Sequence, residues 1–257
     1  MSFRGDEDPP IYAPGNLSFS RTIRDIIESP GIIVHPTSDH SGYITVLSRE
    51  KSIIETIQQG DAAIVKTVKG TLTHVAIRTR DCGQILGFSK QGWIFGIHSS
   101  NQTEFGFQSD SLFMGPITKR TFDYLRGLEV QPADCQIYIG PSLGGKATDG
   151  CNCYEYTESP NQPDGTRLVQ CIQKYYPNLD LSGTLSRRVN RDKLYFDWGE
   201  IMQRILLLIG VPERNIHWES NYCTRCEPGW HSDRRSRHEQ SDPKLRPNNL
   251  GWVTAQL

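Results

Sequence analysis

The stretch that decides the fold is DAAIVKTVKGTLTHVAIRTRDCGQILGFSKQGWIFGIH, residues 61–98. It divides into four β-rich runs, DAAIVKTV (61–68), TLTHVAIRT (71–79), GQILGFS (83–89) and GWIFGIH (92–98), parted by turn residues such as Lys-Gly and Gln-Gly. Runs this short, rich in β-branched and aromatic residues and bounded by glycine, read as strands. Cys82 follows the exit of the second run, and His98 ends the fourth. A thiol and an imidazole at two strand exits point to a site.

Working outward, GYITVL (42–47) and GIIVH (31–35) add two strands upstream. NLSFSRTIRDIIES (16–29) carries Leu17, Ile23, Ile26 and Ile27 at helical spacing until Ser29, Pro30 and Gly31 break the pattern. Downstream, PITKRTFDYLRGL (116–128) and TRLVQCIQKYY (166–176) read as helices. YFDWGEIMQRILLLIG (195–210) reads as the longest helix, stopped by Gly210 and Pro212. CQIYIG (135–140), NIHWE (215–219) and GWVTAQL (251–257) read as strands, and the polar stretch from Gly144 to Gly165 as a loop with no element of its own. The expected class is α+β, or α/β with mixed sheets: one domain over residues 16–257 behind a flexible, Pro- and Gly-rich arm at 1–15.

Composition sets the surroundings. The 28 basic and 29 acidic residues nearly cancel, which excludes the electrostatic footprint of a nucleic-acid binder and favours a small neutral or mildly anionic partner. MSFRGDEDPPIYAPGN has no apolar core suited to a signal peptide, and no later run approaches a membrane span, so a soluble, cytoplasmic protein is expected, monomeric or a small homo-oligomer. Seven cysteines in a reducing compartment argue for metal ligation, reactive thiols or burial rather than a disulfide framework.

Cys82 has company. His98 ends a neighbouring strand, and His40 precedes the run GYITVL; His35 is an alternative to His40. Two imidazoles and one thiolate suit zinc, and three protein ligands leave a fourth position for water, as in catalytic sites. Asp81 is placed to shuttle protons or orient a ligating imidazole, against an ordinary turn-capping role. A second candidate site is formed by Cys151 and Cys153 in CNCYEY with Cys223 and Cys226 in CTRC, a four-thiolate set; a disulfide or simple burial is the alternative. Cys135, Cys171, His74, His217, Tyr195, Phe196 and Trp198 sit in core-like patterns.

The segments GDAAIVKTVKGTLTHVAIRTRDCGQILGF, GIHSS, IGPSLGGKATDGCNCYEY and YFDWGEIMQRILLLIGVPERNIHWESNYCTRCEPGWHSDRR resemble, in order and spacing, the laccase-domain family, also called polyphenol oxidase or peptidoglycan-editing-factor proteins. In that family a zinc ion is held by a histidine in a Gln-Val-His-Gly context, a cysteine in Thr-Ala-Asp-Cys and a histidine in His-Ala-Gly-Trp-Arg-Gly. The matching positions are His40, Cys82 and His98. The resemblance implies a laccase-domain-like sandwich of mixed sheets with flanking helices, zinc rather than copper, and a purine nucleoside or similar small polar substrate undergoing phosphorolysis, deamination or hydrolysis.

Departures surround these matches. Ser38 and Asp39 replace Gln-Val, Arg80 replaces an alanine, and SSNQT (99–103) replaces the family's Ala-Gly-Trp-Arg-Gly. Those neutral groups are expected to line the pocket and to weaken phosphorolysis, with Arg80, Arg234 and Arg235 as guanidiniums that would restore an anion site. Two other classes stand beside the zinc enzyme: a cysteine hydrolase or amidase using Cys82 and His98, and a non-catalytic metal-binding module.

Overall fold

The computed structural model describes residues 2–3, 31–36, 40–47, 55–58, 60–70, 72–108, 113–144, 153–186, 193–218, 223–226, 232 and 249–255. The helix expected over 16–29 lies outside these residues.

The four runs of the opening stretch form β5 (Ala62–Lys66), β6 (Leu72–Thr79), β7 (Gly83–Ser89) and β8 (Trp93–Ser99). They do not share one sheet. β5, β7 and β8 belong to a six-stranded sheet with β3 (Ile44–Leu47), β9 (Cys135–Ile139) and β14 (Ile216–Trp218), in the order β14-β9-β7-β8-β5-β3. β6 belongs to a five-stranded sheet with β1 (Ser2–Phe3), β2 (Gly31–Pro36), β4 (Glu55–Gln58) and β15 (Asn249–Ala255), in the order β1-β15-β6-β2-β4. Both sheets mix parallel and antiparallel pairs, as the expected class requires.

The six-stranded sheet is buried on both faces, and strand alternation sorts its residues. Ala63, Val65, Leu86 and Ile94 meet Val75, Ile77 and Val253 of the five-stranded sheet. Gly96 marks how closely the layers approach: a Cβ there would lie 2.6 Å from Ile77 Cγ1. Ala62, Ile64, Ile85, Phe95 and Ile97 face the larger core instead, with Phe122, Leu168, Met202 and Ile205. These last come from three helices, α2 (Ile117–Gly127), α3 (Asp164–Tyr175) and α4 (Trp198–Ile209); a short α1 (Asn101–Phe105) follows β8 directly.

Two sequence expectations are corrected. The helix read over 195–210 is a strand followed by a helix: β13 (Lys193–Phe196) pairs with β10 (Glu155–Ser159), then Asp197 caps α4 by accepting the Glu200 N–H at 3.0 Å. An aspartate that satisfies a free helix N–H starts a helix rather than continuing one. The stretch Gly144 to Gly165 likewise contains β10 and the two-residue β11 (Gln162–Pro163), part of a four-stranded sheet ordered β11-β10-β13-β12 with β12 (Leu185–Ser186). Its residues are polar because β10 is only half-buried and holds its partner partly by the Lys193–Glu155 ion pair at 2.8 Å.

Candidate metal centre

Register places Cys82 beside His98. Cys82 immediately precedes β7, whose first residues Gly83 and Gln84 pair with Ser99 and His98 at the end of β8. His40 arrives from the segment before β3 through two left-handed positions, φ 63° at His40 and 73° at Gly42. One ligand atom from each of His40, Cys82 and His98 falls within 4.8 Å of the other two. The imidazoles meet edge to face, with centroids 4.7 Å apart. His98 is buried, whereas His40 and Cys82 are partly exposed.

Asp61, fully buried at the entrance of β5, organises this corner. Its Oδ1 lies 2.7 Å from His98 Nδ1 and accepts the His40 backbone N–H at 2.9 Å, while Oδ2 accepts the Gly42 N–H at 2.6 Å. Its carbonyl accepts the His98 N–H at 2.6 Å. With Nδ1 committed to Asp61, Nε2 is the His98 nitrogen left for the cluster. Ser100 Oγ sits 3.2 Å from His40 Nδ1 and fixes the other ring in the same way.

Burial opposes the thiolate of Cys82, but the neighbouring imidazoles of His98 and His40 outweigh it and draw the thiol down to about 6. Burial opposes charge on His98 as well, yet the Cys82 thiolate and the Asp61 carboxylate push it up to about 10. One sulfur and two imidazoles within 4.8 Å of one another form a donor set fit for zinc, which takes thiolate and neutral imidazole and displaces their protons on binding.

The other sequence candidates fall elsewhere. Asp81 Oδ1 accepts from Thr224 Oγ1 at 2.9 Å, and the carboxylate on an imidazole is Asp61. Arg80 stands half-buried on the turn before Cys82, where its charge, after burial, lowers the pKa of Arg78. Arg234 and Arg235 lie outside the described residues, as does Cys151. Cys153, Cys223 and Cys226 do converge, their sulfurs all within 4.8 Å of one another. Cys135 is fully buried, and Cys171 packs against the larger core. His217 stacks on Tyr138 with centroids 4.6 Å apart.

The substituted segment SSNQT behaves differently from its expected role as a pocket lining. Ser99 is fully buried with its Oγ 3.4 Å from Met202 Sδ, and Ser100 caps α1 by accepting the Thr103 N–H at 3.2 Å while Thr103 Oγ1 accepts the Ser100 N–H at 2.9 Å. Only Asn101 and Gln102 of the five are half-exposed. The reason is local: Ser-x-x-Thr closes a capping box, so the segment turns into a helix and meets the site through Ser100, beside His40. Sequence reading missed Asp61, and it gave Ser100 the role of a pocket-lining group rather than that of a helix cap and partner of His40. The available signals were an acidic residue heading an otherwise apolar strand and a serine three residues before a threonine.

The fold recurs in solved structures. YlmD from Geobacillus stearothermophilus matches at TM-score 0.67 and 21% identity, over 92% of this chain and 78% of that one. The Bacillus licheniformis hypothetical protein YfiH matches at 0.66 and 16%, over 91% and 79%. The Neisseria meningitidis protein NMB0706 matches at 0.61 and 15%, over 91% and 78%. No curated protein matches the chain. A family model described as multi-copper polyphenol oxidoreductase laccase matches residues 19–241, and the chain belongs to that family.

Proposed function

We propose that this protein is a zinc-dependent enzyme acting on a purine nucleoside or similar small polar substrate, with His40, Cys82 and His98 as the metal ligands. The observation that carries the reading is the convergence of two imidazoles and one thiol, with Asp61 behind His98 and Ser100 behind His40. Bound zinc supplies Lewis acidity and lowers the pKa of a water in its open position. Asp61 holds His98 in the tautomer that offers Nε2, and Ser100 restrains the His40 ring.

Zinc is preferred because a thiolate and two neutral imidazoles leave one tetrahedral position for water or substrate, the arrangement of a catalytic zinc.

A second reading rests on the same geometry. Cys82 hydrogen-bonded to His98, itself backed by Asp61, is the nucleophile, base and orienting carboxylate of a cysteine hydrolase. Such an enzyme has no use for His40 as a second imidazole on the sulfur, which favours the metal. Turnover of adenosine and inosine, with and without phosphate, in the wild type, a chelator-stripped sample and Cys82→Ala separates the readings. Activity lost on stripping and regained with zinc supports the metal enzyme; activity in the stripped sample supports the hydrolase. Release of free base only with phosphate identifies phosphorolysis.

A further inference from the structure

Away from His40, Cys82 and His98, three more sulfurs come together. Cys153 lies just before β10, and Cys223 and Cys226 occupy a turn closed by the Cys226 N–H to the Cys223 carbonyl at 3.1 Å. Cys153 Sγ and Cys226 Sγ are 3.3 Å apart, far beyond the about 2.05 Å of a disulfide. The Gly144 N–H points at Cys223 Sγ at 3.4 Å, a donor that stabilises a thiolate.

The surroundings are those of a small linker rather than a core. Cys153 and Cys223 are buried, their apolar cover among the described residues being Leu143 and the partly buried Tyr154, and Cys226 is exposed. Three sulfurs gathered from two distant segments, one donating to no large apolar cluster and one facing solvent, are poorly explained as packing. They are better explained as ligands: a metal with sulfur bonds of about 2.3 Å holds its sulfurs about 3.8 Å apart, and these three lie within 4.8 Å of one another.

We propose that Cys153, Cys223 and Cys226 are ligands of a second zinc site. Binding releases the three thiol protons, and the three sulfurs occupy three positions of a tetrahedron; the fourth is filled from outside these side chains. The site staples the start of β10 to the 223–226 turn. That turn is also tied to the first site. The Thr224 N–H donates to the Ser142 carbonyl at 3.1 Å, the Leu143 N–H to the Asp81 carbonyl at 2.8 Å, and Thr224 Oγ1 to Asp81 Oδ1 at 2.9 Å. Asp81 precedes Cys82, so closing the sulfur site steadies the backbone that presents Cys82. This inference does not rest on the reaction proposed above.

Elemental analysis of protein purified without oxygen tests it. Cys82→Ala is expected to retain about one zinc per chain, and Cys82→Ala combined with Cys223→Ser to retain none. Cobalt-loaded Cys82→Ala is expected to show thiolate-to-cobalt charge-transfer absorption that disappears with Cys223→Ser. Because a cysteine variant can misfold, the wild type provides an independent readout: alkylation of Cys153 and Cys226, mapped by peptide mass spectrometry, is blocked in zinc-replete protein and restored after chelation. A metal-free Cys82→Ala, alkylation indifferent to zinc, or a Cys153–Cys226 disulfide in the anaerobic protein overturns the proposal.

Discussion

Asp61 Oδ1 stands 2.7 Å from His98 Nδ1, inside the protein and beyond the reach of solvent. The same carboxylate accepts the backbone N–H groups of His40 and Gly42, so one buried anion sets both the tautomer of one candidate ligand and the backbone of another.

Asp61→Asn is therefore expected to weaken zinc binding by roughly 10- to 100-fold, the usual cost of losing such a carboxylate. Competition against a chromogenic chelator measures it. Wild-type affinity in the variant would mean that the β8 backbone alone orients His98.

The sulfur and the imidazoles of metal-free protein make a prediction about pH. The Cys82 thiol is drawn down from 9.0 to about 6, so the rate of iodoacetamide alkylation should rise through a midpoint near pH 6. Removing the imidazoles in His40→Ala/His98→Ala should return that midpoint toward 9.0, the ordinary thiol value. A wild-type midpoint already near the ordinary value would show that the pair does not form.

Most strands of the two large sheets were legible because their apolar runs have the right length and their turns carry glycine. The small sheet was not: β10 is polar and half-buried, and its pairing with β13 depends on residues far away in sequence. At the site, the histidines and Cys82 were legible as residue types with metal chemistry. Asp61 was not, because no spacing connects the head of one strand to the end of another. SSNQT was misjudged because its capping box, a local signal, outweighed its position next to a ligand.

Glu104 gives a test of stability. Burial raises its carboxyl from 4.5 to about 7, despite hydrogen bonds from the Thr118 hydroxyl and N–H. A carboxyl raised on folding binds its proton more tightly in the native state, so unfolding free energy falls as pH rises from about 4.5 through about 7. Glu104→Gln removes that slope, and its stability relative to wild type should improve between pH 5 and pH 8 by up to roughly 3 kcal/mol. Urea denaturation at the two pH values reads the difference; an equal difference at both would contradict the assignment.

Gly83 follows Cys82 and leaves no room for a side chain. A Cβ there would lie 2.8 Å from Trp198 Nε1, in a buried ring that cannot swing aside. Gly83→Ala is expected to cost about 1–3 kcal/mol in thermal or chemical unfolding and to weaken metal binding by displacing Cys82. Unchanged stability would mean that the indole relaxes.

The central claim is that His40, Cys82 and His98 bind one metal together, and anomalous diffraction at the zinc edge from zinc-loaded crystals tests it most directly. The predicted result is a peak about 2.3 Å from Cys82 Sγ and about 2.0–2.1 Å from one nitrogen of each histidine, with a fourth position open to solvent. No peak there in zinc-replete crystals, or Cys82 Sγ more than about 5 Å from both imidazoles, contradicts it.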